Sequence, residues 1–166
     1  MYKAYFKTLF WTGCRRGEAI ALQCSDLKDG SIYIHHSQRD ATTGLKPTKT
    51  KQSRYVAIDD DLNADLSSLK EHYKTGYLFG GEHPLSPTNI SRRFNNAIKA
   101  SGVKKIRLHD LRHSHATILI NSGVNIVAVS KRLGHTSIEQ TLKTYTHLLE
   151  STDNDMMAKI NSMKHK

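Results

Sequence analysis

Cysteine is scarce. Cys14 and Cys24 are the two present in 166 residues, too few for a disulfide framework and without the second pair that a cysteine-based zinc site needs. That scarcity points to a reducing cytoplasm. Long apolar runs are missing too: the longest strongly apolar stretch, Ile118-Leu119-Ile120, falls far short of the roughly 20 residues that cross a bilayer. No basic start followed by an apolar run marks a secretion signal, and neither internal repeats nor low-complexity segments occur. Acidic residues are also under-represented. Fifteen Asp and Glu face 25 Lys and Arg, leaving a formal net charge of +10. The positive residues are spread over several segments rather than gathered in a tail, which makes a polyanion the natural partner. An anionic membrane surface would call for an amphipathic basic helix or an anchor, and neither is evident, so nucleic acid is favoured and a membrane is not. These bounds predict a soluble cytoplasmic protein, or a fragment of one, in a single domain long enough to bury its own core.

Residues 2–22 carry apolar side chains at helical spacing (Tyr5, Phe6, Leu9, Phe10, then Ile20 and Ala21), interrupted at Thr12-Gly13. Two helices are predicted, with Arg15 opening the second. Residues 31–36 and 54–58 read as strands, and residues 46–53 between them hold three lysines and no core residue. A small antiparallel sheet with a basic hairpin on its edge is the expectation. Residues 59–72 form a helix with Leu62, Leu66 and Leu69 on one face, and Ser86-Pro87 caps and starts another that turns Ile90, Phe94 and Ile98 inward and stops at Gly102. Further helices are predicted over 109–121, 125–133 and 137–145, then a short amphipathic one over 153–163 with Met156, Met157, Ile160 and Met163 as its stripe. The fold class is α+β, mainly helical.

Five segments carry the chemistry: Thr12-Gly13-Cys14-Arg15-Arg16-Gly17-Glu18; Lys46-Pro47-Thr48-Lys49-Thr50-Lys51-Gln52-Ser53-Arg54; His109-Asp110-Leu111-Arg112-His113; Leu133-Gly134-His135; and, ten residues after that histidine, Tyr145 in Leu142-Lys143-Thr144-Tyr145-Thr146-His147. An oxygen nucleophile that cleaves a phosphodiester builds negative charge on the non-bridging oxygens, which planar guanidinium forks stabilise in fixed geometry. Two arginines are therefore expected. His109 and Arg112, three apart on a helix, can reach one phosphate together. A phenol with an ordinary pKa of ~10 is a poor nucleophile unless cations or a base surround it, and the leaving oxygen needs a proton that a lysine can supply more readily than an arginine. Each residue also has an ordinary structural role open to it. Arg15 pairs with Glu18 at a helix start, His135 caps a helix, Tyr145 is a core aromatic, and the hairpin lysines make nonspecific backbone contacts.

In order and setting these segments resemble the catalytic domain of the tyrosine recombinases, the integrases of phages and mobile elements, over nearly the whole chain. The resemblance implies the fold of that domain, with its small antiparallel sheet, and assigns roles. Arg15, oriented by Glu18, and Arg112 hold the phosphate with His109 and His135. Tyr145 is the nucleophile that forms a 3′-phosphotyrosyl link, and Lys49, with Lys51 as its rival, is the general acid. It implies site-specific strand exchange on double-stranded DNA by protomers that form a tetrameric synapse in the full-length enzyme, inside a bacterial or phage-infected cell, with no metal and no cofactor. Residues 1–166 are read as one catalytic domain without the family's N-terminal core-binding and arm-binding domains, and residues 151–166 as a C-terminal docking segment, packed on its own domain or on a neighbour. Two other readings compete. Residues 125–145 have the outline of a helix-turn-helix of a noncatalytic DNA-binding regulator, which leaves Arg15, Lys49, His109 and Arg112 idle. His109, His113 and His115 outline a metal hydrolase, which lacks an acidic ligand at a convincing spacing and places Arg112 beside the dication. His113 and His115 are read as structural or phosphate-contacting.

Overall fold

The structure, a computed structural model, describes residues 1–40, 44–48, 52–146, 157 and 160–163. Helix α1 (Tyr2–Thr12) buries Ala4, Tyr5, Thr8, Leu9 and Thr12 on one face, the i, i+4, i+8 pattern of an amphipathic helix. Gly13 ends it in the left-handed region at φ 65°, a conformation glycine adopts without steric cost. Helix α2 (Arg16–Ala21) follows with Arg15 at its N-cap. A 3₁₀ turn at Cys24–Asp26 then leads to β1 (Leu27–Lys28).

Strands β2 (Ser31–Ile34) and β5 (Arg54–Ala57) pair antiparallel with β1 on the other side of β2, in the order β1-β2-β5. The register sets Ile32 opposite Val56 and Ile34 opposite Arg54. A second ribbon of two short strands, β3 (His36–Ser37) and β4 (Lys46–Pro47), forms the base of the basic hairpin. The strand expected over 31–36 is thus split at His35, and the expected single sheet is two. Helix α3 (Asp60–Tyr73) is capped by Asp59, whose carboxylate accepts from the Leu62 amide at 2.8 Å, and buries Leu62 and Leu66. Helix α4 (Pro87–Ser101) buries Ile90 and Phe94 while Ile98 is half-buried. Ser86 occupies the N-cap of α4, but its side chain makes no capping hydrogen bond, so Pro87 at the first position is the feature that starts this helix.

Helices α5 (Asp110–Asn121), α6 (Ile126–Leu133) and α7 (Ile138–Tyr145) follow. The apolar interior has two parts. One is built on α1, α2, the three-stranded sheet and α3. The other joins Ala116 and Ile120 of α5 to Val129 and Leu133 of α6 and Tyr145 of α7. Arginines stitch the two together. Arg112 donates to the Gly13 carbonyl at 2.7 Å. Arg132 donates to the carbonyls of Trp11 (2.9 Å) and Ala57 (3.0 Å), while Arg54 donates to the Arg132 carbonyl at 2.8 Å. Of the segment expected as a C-terminal helix, Met157 and residues 160–163 are helical, with Met157, Ile160 and Met163 exposed. Met156 lies outside the described residues.

Candidate active site

The site lies where the two parts of the core meet. Arg15 ends the extended link after Gly13, and the Glu18 carboxylate accepts from both its backbone amide and its Nη1, each at 2.9 Å. Glu18 is fully buried and also accepts from Arg54 Nη2 at 2.8 Å. Burial alone would raise its carboxyl, but the bonds and charges of Arg54 and Arg15 outweigh that and hold it below the ordinary carboxylate range. One buried anion therefore fixes two guanidinium groups.

Arg112, only 5% exposed, rises from the first turn of α5. Burial and the nearby charge of Arg15 push its guanidinium down to about 10. Nη1 is satisfied by the Gly13 carbonyl, yet Nη2 is buried with no hydrogen-bond partner among the described residues. Such an orphaned donor costs free energy unless a ligand answers it. Arg112 borders a pocket of about 510 Å³ shared with Arg15, Arg16, Arg39, Lys46 and His109, and no acidic side chain is among the described residues that line it. The cavity is shaped and charged for an anion. Gly13 is essential to the arrangement: a Cβ there would stand 2.7 Å from both the His115 ring and the Leu133 side chain, which would push apart the helices that bring Arg15 and Arg112 together.

His109 sits at the N-cap of α5, and burial followed by the fields of His113 and Arg112 lowers its pKa. His135 follows Gly134, the left-handed cap of α6. Its Nδ1 shares a 2.7 Å hydrogen bond with the buried Thr141 hydroxyl. Burial, and then the charges of Arg112, Arg15 and Arg54, depress it to about 4. It is therefore neutral at physiological pH, and in the tautomer whose Nδ1 accepts from Thr141 the ring carries its proton on Nε2 as a donor. Tyr145 closes α7, 4% exposed. Its hydroxyl lies 2.9 Å from His113 Nδ1. Burial raises its pKa, with the Arg112 charge acting in the opposite direction.

The fold thus brings Arg15, His109 and Arg112 to one pocket, sets His135 in the field of both arginines, and puts the Tyr145 phenol within the field of Arg112. Tyr145 itself does not line the pocket. Lys49 and its rival Lys51 lie outside the described residues. The base of their hairpin is described, and Lys46 and Pro47 line the same pocket. His115 accepts from Arg132 Nε at 3.0 Å and is pushed to about 4 by burial and then by Arg132 and Arg112. Among the described residues no group of three or more His, Cys, Asp or Glu is placed to hold a metal. Both cysteines are buried and free.

Two participants have no role assigned from sequence. Arg54 stands at the end of the lysine segment and the start of a strand, and alternation along β5 puts it on the inward face with buried Val56. An arginine at an inward position demands a buried counter-charge, and that was the available signal. Arg132 carried no such signal, because its position in the last turn of α6 has an ordinary explanation in the helix dipole.

The chain is 32% identical to the ICEBs1 integrase of Bacillus subtilis (strain 168) over 98% of its own length and 49% of that protein's. It spans about half the length of the curated relatives it matches. Among solved structures, the Tn1549 transposon integrase in complex with a circular intermediate DNA superposes with a TM-score of 0.81 at 21% identity, over 97% of this chain and 58% of that one. The catalytic domain of bacteriophage HP1 integrase matches with a TM-score of 0.67 at 25% identity, over 95% of this chain and 79% of that one. No helix among the described residues is long and apolar enough to cross a membrane. Residues 1–152 match the sequence model of the phage integrase family, and the chain belongs to that family, the tyrosine recombinases.

Proposed function

We propose that this chain is the catalytic domain of a site-specific DNA recombinase, an integrase of a phage or mobile element that breaks and rejoins DNA through a 3′-phosphotyrosyl intermediate. The observation that carries the reading is the buried, unanswered Nη2 of Arg112 in a cationic pocket it shares with Arg15 and His109. A scissile phosphate is an anion that satisfies that donor and accepts a second guanidinium fork from Arg15. His135, neutral and donating through Nε2, adds a hydrogen bond to a non-bridging oxygen. The Tyr145 phenolic oxygen attacks phosphorus, the 5′ oxygen leaves with a proton from Lys49, and the covalent link keeps the bond energy for rejoining. Because the arginines supply the charge stabilisation and the link conserves energy, the chemistry calls for no metal and no nucleotide.

Double-stranded DNA in the cytoplasm is the substrate, and protomers assemble on it as a tetramer. The exposed stripe of Met157, Ile160 and Met163 is a docking face, for its own domain or for a neighbouring protomer in that assembly. Support for DNA comes from the net charge of +10 and from the Tn1549 integrase having been solved on DNA. A duplex nicked near the cleavage site, so that the released fragment diffuses away, tests the reading on a denaturing gel. The native chain should give a covalent protein–DNA band, and Tyr145→Phe should lose it while still binding the duplex. A band that persists in Tyr145→Phe assigns the attack elsewhere, and no band from the native chain on any integrase-type site removes the enzyme reading.

A further inference from the structure

Tyr145 as a residue is 4% exposed, and burial raises its phenol further above the pH at which it must act. A phenol in that state attacks slowly unless something takes its proton as the bond to phosphorus forms. His113 Nδ1 is the group in contact, at 2.9 Å. His109, one turn earlier on α5, meets the His113 ring edge-on with centroids 4.9 Å apart and makes no hydrogen bond to Tyr145 among the described residues. We propose that His113 is a catalytic residue, the general base that accepts the phenolic proton of Tyr145. This rests on the reading of Tyr145 as nucleophile.

The step balances without oxidation or reduction. The Tyr145 oxygen forms its bond to phosphorus as its proton passes to His113 Nδ1, while the phosphorus–O5′ bond breaks and the leaving oxygen takes a proton from Lys49. Rejoining runs the same transfers backward, and His113 then returns the proton to the departing phenol. Acceptance at Nδ1 requires the neutral ring with its proton on Nε2. Facing the imidazole are Tyr145 from α7 and His109 and Asp110 from its own helix, with Phe10 of α1 across a shallow pocket. The Asp110 carboxylate is held by Arg107 at 2.9 Å and is close enough to feel the charge of His113, so the imidazolium that forms has an anion on its own helix. Arg112 faces the phosphate pocket instead.

His113→Asn separates proton transfer from positioning. The Asn Oδ1 falls near the place of Nδ1 and still accepts the phenol's hydrogen bond, but it cannot hold the proton. Single-turnover cleavage of the nicked duplex at neutral pH should fall on the order of a hundredfold with DNA affinity unchanged. Its rate should climb more steeply with pH than the native rate, because solvent hydroxide must then take the phenolic proton. Replacing the bridging 5′ oxygen with sulfur should not rescue it, because the defect lies in the nucleophile. A His113→Asn variant with the native rate and native pH profile overturns the proposal. Tyr145→Phe on the same duplex keeps the two readings apart: adduct lost there but formed at full rate by His113→Asn refutes the base alone, whereas adduct retained by Tyr145→Phe refutes the nucleophile. Thermal melting confirms that each variant is folded. Should His113→Asn fail to fold, His113→Ala carries the test: added imidazole should restore its cleavage, and a variant that cleaves at the native rate or gains nothing from imidazole overturns the proposal.

Discussion

In the proposed reaction Lys49 and Arg15 serve opposite ends of the same transition state, and chemistry on the substrate tells them apart. Lys49→Ala leaves the nucleophile and the arginines in place but removes the proton for the 5′ oxygen, so cleavage should slow by a factor on the order of a hundred or more. Sulfur at the bridging position leaves with little need of a proton, and the Lys49→Ala rate on that substrate should recover. Arg15→Ala loses charge stabilisation at the non-bridging oxygens and should stay slow on both substrates. Recovery of Lys51→Ala in preference to Lys49→Ala would move the role to Lys51, and recovery of Arg15→Ala would reverse the assignment. These two residues also differ in legibility. Arg15 and its partner Glu18 are three apart in the chain, so their pairing was visible in the sequence. That Glu18 is buried and shared with Arg54, 36 positions away, is not visible in sequence, because it depends on the tertiary fold carrying the start of β5 to Glu18.

At the scale of elements the helices are legible in the sequence, since α1, α3, α4, α6 and α7 each carry an apolar stripe at helical spacing and a glycine, proline or polar residue at an end. The two-residue strands β1, β3 and β4 left no such trace, for two residues cannot display an alternation. The α6–α7 turn shows how an element end becomes part of the site. Gly134 adopts φ 68°, and a Cβ there would lie 2.6 Å from Arg54 Nη1. That guanidinium is the tip of a flexible side chain, but its bonds to Glu18 and to the Arg132 carbonyl hold it in place. Gly134→Ala should therefore pay the left-handed strain of about 1–2 kcal/mol and also displace His135 and Arg54 together. Urea denaturation should report the first. Cleavage of the nicked duplex should fall well beyond any loss in DNA affinity, and a variant with native stability and native cleavage would show that the turn has room.

For the molecule as a whole, buried neutral histidines tie stability to pH. His115 and His135 are each pushed to about 4 in the folded chain, chiefly by burial and then by neighbouring arginines, and burial lowers His36 and His109 in the same direction. An unfolded histidine titrates near ~6.5. Between that value and about 4 the unfolded chain binds protons that the folded chain refuses, so stability must fall as pH falls through this window. Two fully linked protons correspond to at most ~2.7 kcal/mol per pH unit, and His135, only half-buried, contributes less than His115. Glu18 acts in the same sense but at lower pH: its folded value is depressed, so its contribution is complete above the ordinary carboxylate range and is lost as pH drops through the folded value. Acidification also adds positive charge to a chain that already carries +10, which penalises the compact state further. Urea midpoints should hold steady from pH 8 to 7 and then decline progressively from 6.5 towards 4. His115→Gln, whose amide oxygen can still accept from Arg132, should flatten that decline. A duplex oligonucleotide should flatten it as well, because phosphates beside Arg112 and His135 reduce the cost of protonating the histidine. Midpoints that do not move between pH 7 and 5 would mean that these histidines take up their protons in the folded chain, and that the arginine-lined pocket is far better hydrated than its burial implies.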